Sequence, residues 1–333
     1  MAQASQGYFG LAQEVTEGVE VAPTHLLPVK DVDFTTDTEF IEIREIRGSR
    51  QAYSTFDGPI RPSATFTSSL YPAGGFGYVM KGLFGDVTSG AAQSSATAKT
   101  HTFVDAAALP TFSFERSDAR AAGGILHERL SGVKIESVGF SCNFGEDVEM
   151  SVTAQGLGFP TDPAAKPVSG LFTTGYPAMD PLIFTGATVA VDGSPNYDFK
   201  SVDFEFSNTL ERQEALNGSR ESESMMEGGL ECSLSGTMIF RDLTFYNRFR
   251  DSDTFTVTVQ FVGSEAASDG PGSVPYKAYF HWPKVKVANF GVPMTAGEVI
   301  EADVELNVSF DNATQRLVDV QFTNLDAGYP TPT

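Results

Sequence analysis

Cysteine, histidine, tryptophan and positive charge are all scarce in this chain, and most of these scarcities close off a class of function. Two cysteines, Cys142 and Cys232, in 333 residues are too few for a disulfide framework, and a reducing compartment leaves both as thiols. The four histidines, His25, His101, His127 and His281, are scattered, and no pair has a metal-ligand spacing such as HExxH. Lys and Arg number 22 against 43 Asp and Glu, for a net charge of −21 and a pI near 4.4. Such a surface repels nucleic acid and anionic membranes. No apolar run reaches the length of a membrane span, and the opening MAQASQGYFG lacks the basic start and apolar stretch of a secretory leader. The expectation is a protein made and kept in a cytoplasm, where the sequons at Asn217, Asn307 and Asn312 are chance matches.

Catalytic and cofactor motifs are missing too. There is no GxSxG, and both cysteines sit in strand-like surroundings that suit inert core thiols. The glycine pairs in PAGG (72–75) and AAGG (121–124) lack the lysine and the strand-to-helix context of a phosphate loop. The stretch DGSPNYD (192–198) lacks the calcium-loop pattern and its distal glutamate, and reads as a hairpin turn. Acidic pairs such as Glu146 with Asp147, Asp192 with Asp198 and Asp251 with Asp253 carry no information in a chain of 43 acids. The basic stretch Arg241–Arg250 is short and interrupted by Asp242, which argues against a nucleic-acid groove. No cofactor and no enzymatic activity are expected.

What is present is strand. The 27 phenylalanines alternate with polar residues more often than they recur at helical spacing. Segments 31–43, 110–117, 133–144, 147–155, 201–209, 253–263, 276–287 and 300–310 alternate or are dense in β-branched and aromatic residues, with Gly/Ser/Asp/Pro clusters between them. Helix is confined to GFGYVMKGLFG (75–85), where Phe76, Val79, Met80 and Leu83 share a face and Gly85 ends the run, and to a second run after Asp242, a suitable N-cap.

The chain also repeats itself. Residues 30–50 and 200–220 match at seven of 21 positions, among them Val32/Val202, Asp33/Asp203, Phe34/Phe204 and Arg50/Arg220, where unrelated sequences match at roughly one. The helix recurs with Phe245, Tyr246 and Phe249 against Val79, Met80 and Leu83. Residues 110–115 align with 253–258, and 134–152 with 286–304. Four segments in one order, with length changes confined to loops, predict a tandem duplication. Its domains are 1–158 and 171–333, joined by a Pro/Gly/Ala-rich linker, 159–170. An extra loop, roughly Asp86–Ala107, belongs to the first half alone.

The opening run GYFGLAQEVTEGVEVAPTHLLPVKDVDF, with its turn Glu17–Thr24 and its strand start Leu27-Pro28-Val29, is followed by REIRGSR, GPIRPSATF and the short helix. This set resembles the tail tube proteins (major tail proteins) of long-tailed bacteriophages with non-contractile, siphovirus-type tails. The resemblance covers most of the first half and extends through the repeat to the second. It implies a mainly β fold, a duplicated β-sandwich or barrel domain with one short helix in each half. It further implies a structural virion protein whose inner strands close into rings. Stacked rings would form the tail tube, through which DNA passes without specific binding. The implied partners are further copies of itself, a tape-measure protein, a tail terminator and distal tail or baseplate proteins. The implied location is the virion tail, reached from the host cytoplasm. A decorating virion protein, a secretion-tube-like ring protein and, more distantly, a β-sandwich hydrolase are the alternatives.

Within that resemblance two sets of residues become candidates. The polar segments after RGSR and NGSR are read as arms that reach the neighbouring ring, with Arg50, Gln51, Tyr53, Phe56 and Asp57 in the first half and Arg220, Glu221, Glu223, Met225 and Met226 in the second. Acids at alternate strand positions are read as lumen-facing: Glu146, Asp147 and Glu149, and Glu301, Asp303 and Glu305. Because six such domains complete a ring, a chain with two predicts a trimer of pseudo-sixfold symmetry.

Overall fold

Alternation of apolar and polar residues makes long strands here, and long strands with one apolar face must pack it on another layer. The computed structural model describes residues 7–46, 48, 51, 53–93, 97–118, 126–163, 171–267, 274–294 and 299–332. The first half runs β1 (Tyr8–Gln13), β2 (His25–Leu27), β3 (Val29–Ile43), β4 (Ser54–Ser69), α1 (Gly75–Phe84), β5 (Gly85–Ser89), β6 (Lys99–Asp105), β7 (Phe112–Ser117), β8 (His127–Asn143) and β9 (Glu149–Gln155). The second half opens with a helical turn, α2 (Leu171–Thr174), and a 3-10 turn at Phe184–Gly186. It continues with β10 (Ala187–Val191), β11 (Ser194–Asn196), β12 (Phe199–Gln213), β13 (Ser224–Ile239), α3 (Thr244–Asp251), β14 (Phe255–Ala266), β15 (Pro275–Gly291), β16 (Glu301–Val308) and β17 (Asp319–Asn324).

Strand pairing in the two halves is the same, residue for residue. The order β3·β4·β9·β8 recurs as β12·β13·β16·β15, all antiparallel. Val32 faces Phe66 and Val202 faces Gly236; Phe34 faces Ala64 and Phe204 faces Leu234. Even the irregularities correspond: breaks at Val29/Asp31 and Thr38/Phe40 match breaks at Phe199/Ser201 and Asn208/Leu210. The break at Ile135/Ser137 in β8·β9 likewise matches Val287/Asn289 in β15·β16. A second layer, β2·β1·β7 continuing into the first part of β8, matches β11·β10·β14 continuing into β15. Between the layers lie Phe9, Phe66 and Phe114 in one half, and Phe204, Phe206, Phe280 and Trp282 in the other. Each such ring contributes roughly 1.5–3 kcal/mol by leaving water.

The halves are fused into one sheet. β8 of the first pairs with β12 of the second, Phe140 facing Phe204 and Val138 facing Phe206, and the rings of Phe140 and Phe204 stack at 4.9 Å. An eight-stranded sheet results, β3·β4·β9·β8·β12·β13·β16·β15.

Three expectations need correction in detail. The extra segment Asp86–Ala107 is in good part strand: β5 and β6 form a hairpin, and β6 pairs with β17, extending the second half's outer layer. Asp242 is not the N-cap of α3; Leu243 holds that position, and Asp242 accepts the Thr244 N–H at 2.8 Å from one residue further out. The segments read as polar arms are half strand, since Ser54–Asp57 belong to β4 and Ser224–Glu227 to β13. Of the linker 159–170, residues 164–170 lie outside the described residues; Thr161 bridges Arg129.

Candidate functional site

The eight-stranded sheet has one face on the core and one in solvent, and alternation decides which residues occupy each. In β9, Met150, Val152 and Ala154 are buried while Glu149 and Ser151 are exposed; in β16, Ala302, Val304 and Leu306 are buried while Asp303 and Glu305 are exposed. Four of the six lumen candidates, Glu149, Glu301, Asp303 and Glu305, therefore share the solvent face. Glu146 and Asp147 do not: they lie in the turn between β8 and β9, with Asp147 bridged to Ile183. Asp31, Asp33, Asp203 and Glu205, none of them among the sequence candidates, occupy the same face on β3 and β12. Their signal was the same alternation, in DVDF and SVDFEF.

Lysines temper this acidity in a repeated pattern. Lys30 pairs with Asp147 and Glu149, each at 2.9 Å, and its repeat partner Lys200 pairs with Glu301, the match of Glu149. The Ser69 hydroxyl donates to Asp147 at 2.5 Å and, with Lys30, holds that carboxyl below its usual range. Arg116 reaches round the β3 edge to Asp33 at 3.2 Å, and its guanidinium lies 3.4 and 3.5 Å from the Val32 and Phe34 carbonyls.

Hairpin tips extend from one end of the sheet. The first lies beyond the Ile43·Ser54 pair and the second beyond the Gln213·Ser224 pair. Gln51 lies in the first tip, Tyr53 donates its N–H to the Ile43 carbonyl at 2.9 Å, and Phe56 and Asp57 follow on β4; Arg50 lies outside the described residues. Phe40, Ile41, Ile46, Tyr53 and Phe56 present exposed apolar surface. The second tip is polar and anchored at its base to the first half. Arg220 donates to the Gly58 carbonyl at 2.8 Å, accepts from the Ile60 N–H at 3.0 Å, and lies 3.4 Å from Asp57. Glu221 accepts the Phe159 N–H, and the Glu223 N–H donates to the Gln213 carbonyl. Met225 is buried, and Met226 is exposed.

Glu115 is buried among Tyr8, His127 and Arg129. Burial pushes the Cys142 thiol up to about 11 and the Cys232 thiol up to about 12, so neither is a nucleophile near neutral pH. Among the described residues no group of His, Cys, Asp and Glu could hold a metal ion, and no helix is long and apolar enough to cross a membrane.

A double-layered β chain with acids along the solvent face of its sheet and two projecting hairpins has the form of a building block. Residues 4–311 match the family model for the phage tail tube protein. The chain belongs to that family. No curated protein sequence matches it. As a tail tube protein it is a structural component of the virion tail that assembles with itself, and the mainly β fold expected from the resemblance is the fold observed.

Proposed function

We propose that three copies of this tail tube protein close one ring, and that stacked rings form a channel lined by the solvent face of the eight-stranded sheet. On this reading the chain is a tandem duplication of domains 1–158 and 171–333, and each domain supplies one sixth of the ring. The observation that carries it is the β8·β12 pairing: one half already joins the other edge to edge, in a sheet whose strand registers repeat throughout. Six four-stranded sheets joined in that way leave no edge open. Fusing two of them makes every second junction intramolecular and raises its effective concentration.

The channel face would carry Glu149, Asp203, Glu205, Glu301, Asp303 and Glu305, an acidic lining that repels the phosphates of DNA in transit. The hairpin tips would meet the next ring. A tape-measure protein inside the tube, a tail terminator above and distal tail or baseplate proteins below complete the partners, with assembly in the host cytoplasm and no catalytic role. Native mass spectrometry of rings released from tubes tests the stoichiometry: a mass of three chains is expected, and a closed ring of six whole chains refutes it.

A further inference from the structure

The contact between the halves is a template for a contact that the chain cannot make with itself. At the β8·β12 seam Ser207 faces Ser137 and Phe206 faces Val138. Beside it Lys134 is buried, donates to the Met225 carbonyl at 2.7 Å and pairs with Glu227 at 2.6 Å. Under it Leu83 of α1 is buried, and Asn208 of β12 donates to the Leu83 carbonyl at 2.9 Å.

The repeat carries each group forward. β8 becomes β15 and β12 becomes β3; Lys134 becomes Lys286, and Glu227, opposite Leu210, becomes Asp57, opposite Phe40. Leu83 becomes Phe249, and Cys142 becomes Met294. The second-half members lie bare. Lys286 is exposed with no acidic partner among the described residues. Phe249 and Met294 are 39% and 81% exposed, where Leu83 and Cys142 are 0% and 8%. Among the described residues no strand pairs with the outer edge of β3 or with the outer edge of β15 at 288–291.

The clefts tell the same story. In the second half a cleft of about 340 Å³, lined by Thr188, Val189, Lys200 and Val202, is walled by Cys142 and Phe144 of the first. The matching cleft in the first half, lined by Tyr8, Phe9, Lys30 and Val32, measures about 440 Å³ and has Leu126 and Tyr176 beside it in place of counterparts to Cys142 and Phe144. A feature covered once and bare once, in otherwise repeated surroundings, is missing its neighbour. Charge agrees with this, because the β3 edge carries Asp31 and Asp37, beside the Arg116-bound Asp33, while the bare β15 side offers Lys286.

We propose that β15, Lys286 and the outer side of α3 form a socket for β3 of a second copy of this chain. The strand enters in the β8·β12 register, with Thr36 facing Phe290, Asp37 facing Asn289, and Lys286 paired with Asp57 across the junction. Met294 fills the open first-half cleft of that copy. Arg116 gives up the Val32 and Phe34 carbonyls to the incoming strand. The inference rests on the ring reading and adds its register and its ion pair.

Paired cysteines test the register. Asp37→Cys with Asn289→Cys in one chain should, on oxidation, give covalent species of two and three chains, whereas each single variant should not. Ser137→Cys with Ser207→Cys, on the existing seam, should close within one chain and calibrates the geometry. Lys286→Glu should weaken self-association about tenfold or more, and adding Asp57→Lys should restore it. Tubes that form without the cross-link and ignore the charge reversal overturn the socket while leaving the tube reading intact. A parent chain that forms no ring or tube overturns both.

Discussion

Glu149 and Glu301 show why a residue's sign alone does not set the field of a surface. Each sits on the solvent face of the sheet, but each is shared with a lysine at the same repeat position, so most of the unpaired acidity there belongs to Asp203, Glu205, Asp303 and Glu305. Two buried residues carry sharper consequences. His101 is enclosed, hydrogen-bonded to Ser89 at 2.8 Å and Asn324 at 2.9 Å, and burial lowers its pKa from the usual 6.5; His25 shifts the same way for the same reason. The unfolded chain therefore takes up protons at a higher pH than the folded chain does. Stability is lost as pH falls below 6.5 and levels off only beneath the folded pKa. Urea midpoints measured from about pH 7.5 to about pH 5.5 should show this decline, and His101→Gln should shallow it; an unchanged slope in that variant contradicts the assignment. Gly77 faces the ring of Tyr329, whose Cζ lies 2.0 Å from where a Cβ would stand. Gly77→Ala should displace the C-terminal segment and cost about 1–3 kcal/mol, read as a lower denaturation midpoint with Tyr329 newly open to solvent.

Helix α1 is buried on nearly every side, whereas α3 keeps Tyr246 and Phe249 exposed. The sequences of the two helices foretold which face is apolar, but not whether that face would find a cover inside the same chain. The same limit applies across the elements. Strands with clean alternation, such as 147–155 and 300–310, were legible because period 2 is a local property. β4 and β13 were not. Pro59 and Pro62 interrupt the first and Gly228-Gly229 the second, and proline inside a run argues against a strand. Pro62, opposite Thr36, brings no N–H to the ladder; its carbonyl takes the Gly156 N–H at 3.0 Å and an Arg212 N–H at 2.6 Å, and the Gly156 carbonyl beside it takes its donor from Arg212 instead. The acids of β9 and β16 were legible as one face. The turn position of Glu146 and Asp147 was not, because the alternation of 147–155 runs on past Glu149, where the pairing with β8 ends. The hairpin tips give the element-scale test. Removing residues 45–52 spares the pairing of Ile43 with Ser54 and should leave a folded chain that forms rings but not stacks; tubes of normal length from that deletion contradict the inter-ring role.

At the scale of the molecule, three facts converge: a repeated register, a seam that joins the halves edge to edge, and an acidic sheet face free of core packing. An open sheet edge invites pairing with another chain, and among the described residues the eight-stranded sheet keeps one at each end, on β3 and on β15. Closing three such sheets into a barrel satisfies both edges of every copy and turns the acidic face to one side. It also distinguishes the halves, since only the first carries the β5–β6 hairpin, so alternate positions round the ring should differ in outline. Rotational symmetry of the assembled tube by electron cryomicroscopy tests this most directly. Threefold density, with six similar lobes of which every second one bears the extra hairpin, is the expected result, and a true sixfold ring of whole chains would contradict it.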